Sequence, residues 1–428
     1  MIVVLICVLL VWAPLAPAYS VLTHETIIDA AWSKNIVPIL RQRFPGITKD
    51  ELREAHGYAY GGAIIQDMGY YPYGSKFFSD LTHYIRSGDF VLALLHDAQN
   101  VNEYAFALGA LGHYAADNQG HRLATNLAVP MLYPKVKKRF GNVATYEDDP
   151  LAHLKTEFGF DVLEVAKGRF PADAYHEFIG FDVARPLLDR AFHDTYGIEL
   201  DSVLHNEDKT IGSYRHAVSK TIPEATKVAW QLKKDDIQKD IPGITRRKFL
   251  YNISRANYEK NWGTLYQKPS FKEKVLAFIV RILPKVGPLR ALTFKTPTPE
   301  TEKLFQKSFN VTLDEYRGLL RAVGEDRLVL RNDNFDVGTE TGPGQYSLED
   351  KTYADLLDRL SDQKYAGLTP ELRSIILNFY SDPTAAYSTK KDPKAWAKVQ
   401  TELEELKRTS APVEAGATKN QSGTAMRQ

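Results

Sequence analysis

From about residue 24 to residue 240 the apolar residues recur at helical spacing, and runs that would build a sheet are almost missing. His24 to Trp32 (HETIIDAAW) has this spacing, with Thr23 placed as an N-cap. Thr48 and Glu51 have the spacing of a capping box. Phe90 to Ala98 and Val101 to Leu123 read as long helices. The strand candidates, Arg327 to Leu330 and Gly344 to Ser347, are short. The expected fold class is therefore all-α, a multi-helix domain. Gly61-Gly62 and Gly69 to Gly74 (GYYPYG) read as turns or loops. The two prolines of Lys295 to Glu300 (KTPTPE) read as a linker. That places one helical domain over 19–294 and an additional mainly helical C-terminal region over 301–406, with a polar loop from Asn332 to Gln345. Residues 408–428 carry few large apolar groups and are expected to be a disordered tail.

Lys and Arg number 54 against 53 Asp and Glu, a formal net charge of +1. This balance excludes a strongly basic nucleic-acid coat and an acidic solvating tail protein. The single Cys, Cys7, excludes a disulfide framework and a thiolate metal cluster. It lies in Met1 to Ala18, a segment with no charged residue that is short for a membrane span and ends in Ala16-Pro17-Ala18. The reading is a signal peptide over 1–18, cleaved after Ala18, so that the chain is secreted or periplasmic and begins at Tyr19. The segment lacks a basic start, and an uncleaved anchor is the alternative.

The 11 His residues are not scattered evenly. His113, Asp117 and His121 are spaced by four, which puts them on one helix face. His153 and Glu157 repeat the spacing, and His24, Asp67 and His83 lie upstream. Imidazole and carboxylate at that spacing can grip a divalent metal, and a carboxylate can bridge two. Spacing alone leaves a metal site and a merely charged helix face equally open. His56, His96, His176, His193, His205 and His216 have no matched partners in the sequence and read as surface or hydrogen-bonded residues. Whether His96 and Glu103 support a metal ligand is open at this level. Asn332, Asn334 and Asp336 alternate as a calcium loop begins, but Val337 and Pro343 stand where such a loop needs Gly and Glu, so no calcium site is expected. No Gly-rich phosphate loop or Ser nucleophile elbow is present.

With these residues the chain resembles the zinc-dependent phospholipase C family, whose relatives include the single-strand-type fungal nucleases and the glycosylphosphatidylinositol-specific phospholipase D. The resemblance spans about 19 to 165. It implies three zinc ions in a cleft of an all-helical domain. In the family the mature N-terminal residue binds zinc, with a His five residues later; Tyr19 and His24 (YSVLTH) stand at that spacing. The resemblance implies one zinc on Asp67, His83, His113 and Asp117, and a second on His121, His153 and Glu157. A third would lie on Tyr19, His24 and bridging Asp117. In the bacterial phospholipases and fungal nucleases the bridging Asp and the next His are six apart. Here they are four apart, as in the phospholipase D branch, and Gln66 precedes Asp67 where Pro is frequent.

The implied chemistry is phosphodiester hydrolysis by a metal-activated water, with Asp67 as the catalytic carboxylate that orients the water or takes its proton. The expected substrate is a phospholipid or another phosphodiester. Two rival readings are a nuclease on the same trinuclear scaffold and an exported, non-catalytic, metal-stabilised binding protein. Nucleic acid is a partner only under the first rival, and no obligate protein partner is evident. Residues 271–292 join apolar positions to basic ones and fit either a buried helix with solvated ends, the preferred reading, or a helix lying on a membrane surface. Tyr70, Tyr71 and Tyr73 read as ordinary loop packing, with a head-group pocket as the alternative.

Overall fold

The computed structural model describes residues 20–169, 181–204, 206–218, 229–230, 233–239, 241–253 and 293–409. The expected signal peptide, Tyr19, His176, His205, the 271–292 segment and the tail beyond 409 lie outside the described residues.

The described chain is all-α. In order it forms α1 (Val21–Ala31), α2 (Val37–Arg43), α3 (Lys49–Gly62), α4 (Lys76–Tyr84), α5 (Ser87–Asp97), α6 (Val101–Gly120), α7 (Asn126–Leu132), α8 (Pro134–Phe140) and α9 (Pro150–Ala166). There follow α10 (Arg185–Tyr196), α11 (Leu200–Val203), α12 (Glu207–His216), α13 (Arg246–Ile253), α14 (Pro299–Gly324), α15 (Ser347–Asp362), α16 (Pro370–Phe379) and α17 (Pro393–Arg408). Among the described residues there is no strand, only an isolated antiparallel bridge between Asn334 and Thr339. None of the described helices is long and apolar enough to cross a membrane.

The local signals act as their chemistry requires, with two differences. The Thr48/Glu51 capping box forms in full and starts α3. Thr23, however, does not cap α1. The helix begins two residues earlier at Val21, and the Thr23 hydroxyl donates to Asp161 Oδ1 at 2.7 Å instead. Gly61 and Gly62 are not a turn but the last residues of α3. A Cβ on Gly62 would lie 1.9 Å from Phe106 O, and one on Gly109 would lie 2.1 Å from Ala59 O. These reciprocal glycines let α3 and α6 cross backbone against backbone.

The described residues fall into two compact units, one drawn from 1–192 and 199–341, the other from 193–198 and 342–428. The Lys295–Glu300 stretch does not mark their division. Pro299 stands at the start of α14 behind the Thr298 N-cap, a position where proline starts a helix rather than stopping one. The apolar face of α14 then packs in the first unit. Tyr316 OH donates to Leu108 O at 2.8 Å, and Phe305 stacks on Phe160 at 4.8 Å. Burial of large side chains such as these contributes about 1.5–3 kcal/mol each. Helix α14 and the loop up to 341 therefore belong to the unit that holds α1 to α9. In the second unit, Tyr353 stacks on Phe379 at 3.8 Å and Tyr387 on Trp396 at 5.2 Å.

Candidate metal centre

The site is built on α6 and the elements that cross it. His113 and Asp117 project from one face of α6, and His121 follows as the first residue of a π-helical turn, His121–Thr125. Such turns recur at functional sites because they shift the phase of the residues after them. The close α3–α6 crossing brings Ala63 O within 3.0 Å of His113 Nδ1. Asp67 lies on the 3-10 turn Ile65–Tyr70, whose Gln66 carbonyl accepts from Ser79 Oγ at 2.6 Å and Thr82 Oγ1 at 3.3 Å. These bonds tie Asp67 to α4, which carries His83. His153 and Glu157 are one turn apart on α9, and His24 is on α1.

Two groups result. Asp67, His83, His113 and Asp117 each offer a ligand atom within 4.8 Å of the others, and so do His121, His153 and Glu157. All seven side chains are buried. In the first group His83 Nε2 is 3.2 Å from Asp67 Oδ1 and 3.5 Å from Asp117 Oδ2, while His113 Nε2 is 3.1 Å from Asp117 Oδ2. The other Asp117 oxygen, Oδ1, lies 3.5 Å from His24 Nε2, and the His24 and His113 rings stack at 4.6 Å. In the second group Glu157 Oε1 is 2.8 Å from His153 Nε2 and 3.8 Å from His121 Nε2.

This donor set fits a divalent metal. Both oxygens of Asp67, Asp117 and Glu157 and the Nε2 atoms of His83, His113, His121 and His153 are buried without an aligned hydrogen bond. Buried polar atoms left so cost about 1–3 kcal/mol each, and a cation on which they converge would satisfy them together. Burial pushes His153 down to about 3 and raises Glu157 well above the usual carboxylate range, with the nearby carboxylates adding to the latter. His24 is pushed down to about 3 by burial and by the neighbouring His113. Neutral imidazole is the form that binds metal. In the first group burial also raises Asp67, against the pull of His113 and His83. For His83 burial acts downward, but the Asp117 and Asp67 carboxylates outweigh it and lift the ring to about 10.

The other sequence-level candidates fall elsewhere. His56 pairs with Asp29 at 3.1 Å and stacks on Trp32, His96 is on the surface beside Asp97, and His193 stands beside Asp194. Glu103 accepts from Gln99 N and Arg190 rather than from any ligand. Asn332 pairs with Asp89, Asn334 Oδ1 accepts from Asp336 N, and the Asp336 carboxylate faces His121, so the three do not converge on one point. Tyr70 packs edge-on to His83 at 5.9 Å, and Tyr146 packs against His153 at 5.8 Å. Tyr71 turns to Tyr214, and Tyr73 is exposed. Tyr146 and Asp336 were not legible as site neighbours, since neither has a ligand-like spacing to the His residues it meets.

Residues 23–206 match the model of the zinc dependent phospholipase C family. This region belongs to that family. The match holds His24 and both ligand groups, and it covers less than half of the chain. No curated protein and no solved structure matches the chain.

Beneath the family region's ligands, Asp161 joins α9 to the start of α1. It accepts from Leu22 N at 3.1 Å and from the Thr23 hydroxyl, and burial lifts it to about 7. A carboxyl raised on folding binds its proton more tightly in the folded state. Its stabilisation is present below about pH 4 and is lost as pH rises through about 7. Asp161→Asn keeps one of the two acceptor oxygens, at a cost that does not vary with pH, and is neutral at every pH. In metal-free protein the denaturation midpoint of the wild type is expected to fall relative to that of Asp161→Asn between pH 4 and 7. Parallel curves for the two proteins would show that Asp161 is not the titrating group.

Proposed function

We propose that the protein is an exported zinc-dependent phosphodiester hydrolase that cleaves phospholipid head groups in the phospholipase C manner. The observation that carries this is the convergence of seven buried, cation-seeking side chains into two adjoining groups inside the family region. Export rests on the uncharged segment that ends at Ala18, and a third metal on Tyr19 and His24 rests on the split of Asp117, whose two oxygens face different imidazoles.

Asp67, His83, His113 and Asp117 would hold one zinc, His121, His153 and Glu157 a second, and His24 with Asp117 Oδ1 would face a third. Bound zinc supplies hydroxide near neutral pH and stabilises charge on phosphate oxygens. The residues do the rest. The Asp67 carboxylate, beside His83 in the first group, can orient the attacking water and take its proton as the new P–O bond forms. The bond from phosphorus to the glycerol oxygen breaks, and that oxygen takes up a proton, leaving diacylglycerol and a phosphorylated head group. Tyr70 and Tyr146, 6.0 Å apart, pack against His83 and His153 and hold those two rings in place.

The test is turnover of zinc-loaded protein on phosphatidylcholine vesicles, beside single-stranded DNA and RNA, with Asp67→Asn as the variant. Loss of about 10²–10⁴-fold in hydrolysis of the lipid is expected for Asp67→Asn. Cleavage of nucleic acid without lipid hydrolysis moves the substrate to the nuclease class, and full metal content with no turnover on any diester leaves a binding protein. Near-normal turnover of the variant with full metal removes the role given to Asp67.

A further inference from the structure

We infer that Asp336, on a loop outside the family-matched region, is a positioning residue for the second metal group: it holds His121 so that Nε2 faces His153 and Glu157. This rests on the metal reading above.

A ligand imidazole must carry its proton on the nitrogen that does not bind, and that N–H is normally held by an acceptor. Two rings of the first group show the pattern with backbone acceptors. Ser79 O lies 2.7 Å from His83 Nδ1, and Ala63 O lies 3.0 Å from His113 Nδ1. A carbonyl can only accept, so both rings are protonated at Nδ1 and turn Nε2 to the carboxylates. His121 differs from these two rings, and from His153, whose Nδ1 is buried without an aligned hydrogen bond. The His121 Nε2 faces Glu157, but its Nδ1 has a carboxylate, Asp336 Oδ1, at 2.9 Å. The oxygen approaches off the N–H axis, so the contact is a short ring–carboxylate pairing rather than an aligned bond.

Asp336 is itself fixed from several sides. Tyr84 OH donates to Oδ2 at 3.2 Å, Asn126 Nδ2 donates to the Asp336 carbonyl at 2.6 Å, and Asp336 N donates to Asn334 Oδ1 at 3.0 Å. The loop is seated on α5 and on two helices that carry ligands, α4 and α6. Ser87 Oγ donates to Asp333 O at 2.6 Å, and Phe335 N donates to His83 O at 3.1 Å. Phe335 lies 5.3 Å from the His83 ring and 6.0 Å from that of His113. Gly338, at φ +69°, passes so close to α6 that a Cβ would lie 2.3 Å from Asn118 O. The loop thus touches both ligand groups, through Phe335 and Asp336.

The experiment measures zinc affinity by chelator competition, zinc content by elemental mass spectrometry, and the His121 tautomer by nitrogen NMR. It uses zinc-loaded wild type, Asp336→Asn, Asp336→Ala and Asp336→Glu. The expected result is His121 protonated at Nδ1 in the wild type and a loss of about 10–100-fold in affinity at one class of site in the Asn and Ala variants, with partial recovery in Asp336→Glu. The tightest of the remaining sites keep wild-type affinity. Equal zinc affinity in Asp336→Asn and wild type, even if Asp336→Asn melts earlier, overturns the inference and leaves Asp336 a purely structural residue. So does a wild-type His121 protonated at Nε2, a result independent of whether any variant folds. A wild type that binds no zinc at all overturns the metal reading itself, and this inference with it.

Discussion

Asp117→Asn is expected to reduce phosphodiester hydrolysis to background and to strip metal from the first group. Asp117 is the side chain shared most widely in the centre. Oδ2 serves His113 and His83, and Oδ1 faces His24. Burial alone would raise its pKa, yet the surrounding imidazoles hold it well below the usual carboxylate range, so it is the fixed anion of the site. Asparagine preserves the volume, removes the charge, and turns one acceptor into a donor pointed at imidazole nitrogen. Loss of even a supporting partner of a metal ligand costs about 10–100-fold in affinity, and a bridging ligand costs more. Without the metal the acceleration typical of enzymes, at least about 10⁶-fold, has no source here. Elemental mass spectrometry and vesicle hydrolysis on the same preparation decide the matter. Full zinc with turnover within tenfold of wild type would sink the bridging role.

Removal of metal by a chelator is expected to lower the melting temperature by about 10 °C. A ligand at about a thousand times its Kd stabilises the folded state by about 4 kcal/mol, so two occupied groups contribute about 8 kcal/mol. For a unit of this size each kcal/mol moves the midpoint by about 1.5 °C. The sign follows from the burial of the converging atoms, which no side chain in the described residues bonds in aligned geometry. Added zinc should restore the midpoint. A scan that moves less than about 2 °C, on protein shown to have lost its metal, would mean that the groups are satisfied without a cation.

Much of the centre was legible because helix geometry writes itself into spacing. His113 with Asp117 and His153 with Glu157 are pairs four apart, and each pair meets on its own helix as that spacing requires. The capping box at Thr48 was legible for the same reason, since it involves only neighbours. Thr23 misled because a hydroxyl near a helix start has two uses. Here the long-range acceptor Asp161 took it from the local one. Pro299 misled in the opposite way: a proline after a polar run reads as a break, but at the first turn of α14 it costs no hydrogen bond.

Asp336 shows where local reading ends. Its neighbours in the chain suggested an imperfect calcium loop, and its distance in sequence from His121 hid their pairing. The same holds for Gly62 and Gly109, whose doublet and lone glycine carry no sign of which helix will cross them. The chain alone determined its helices, the facing of each ligand pair and the family to which the ligands point, because all of these depend on a period of 3.6 residues and on side-chain chemistry. Only the tertiary structure decided that α14 and the 331–338 loop belong to the unit with the two candidate metal groups, and that a carboxylate from that loop faces His121. Those outcomes depend on which apolar faces bury one another across long stretches of chain, and no local period encodes that choice.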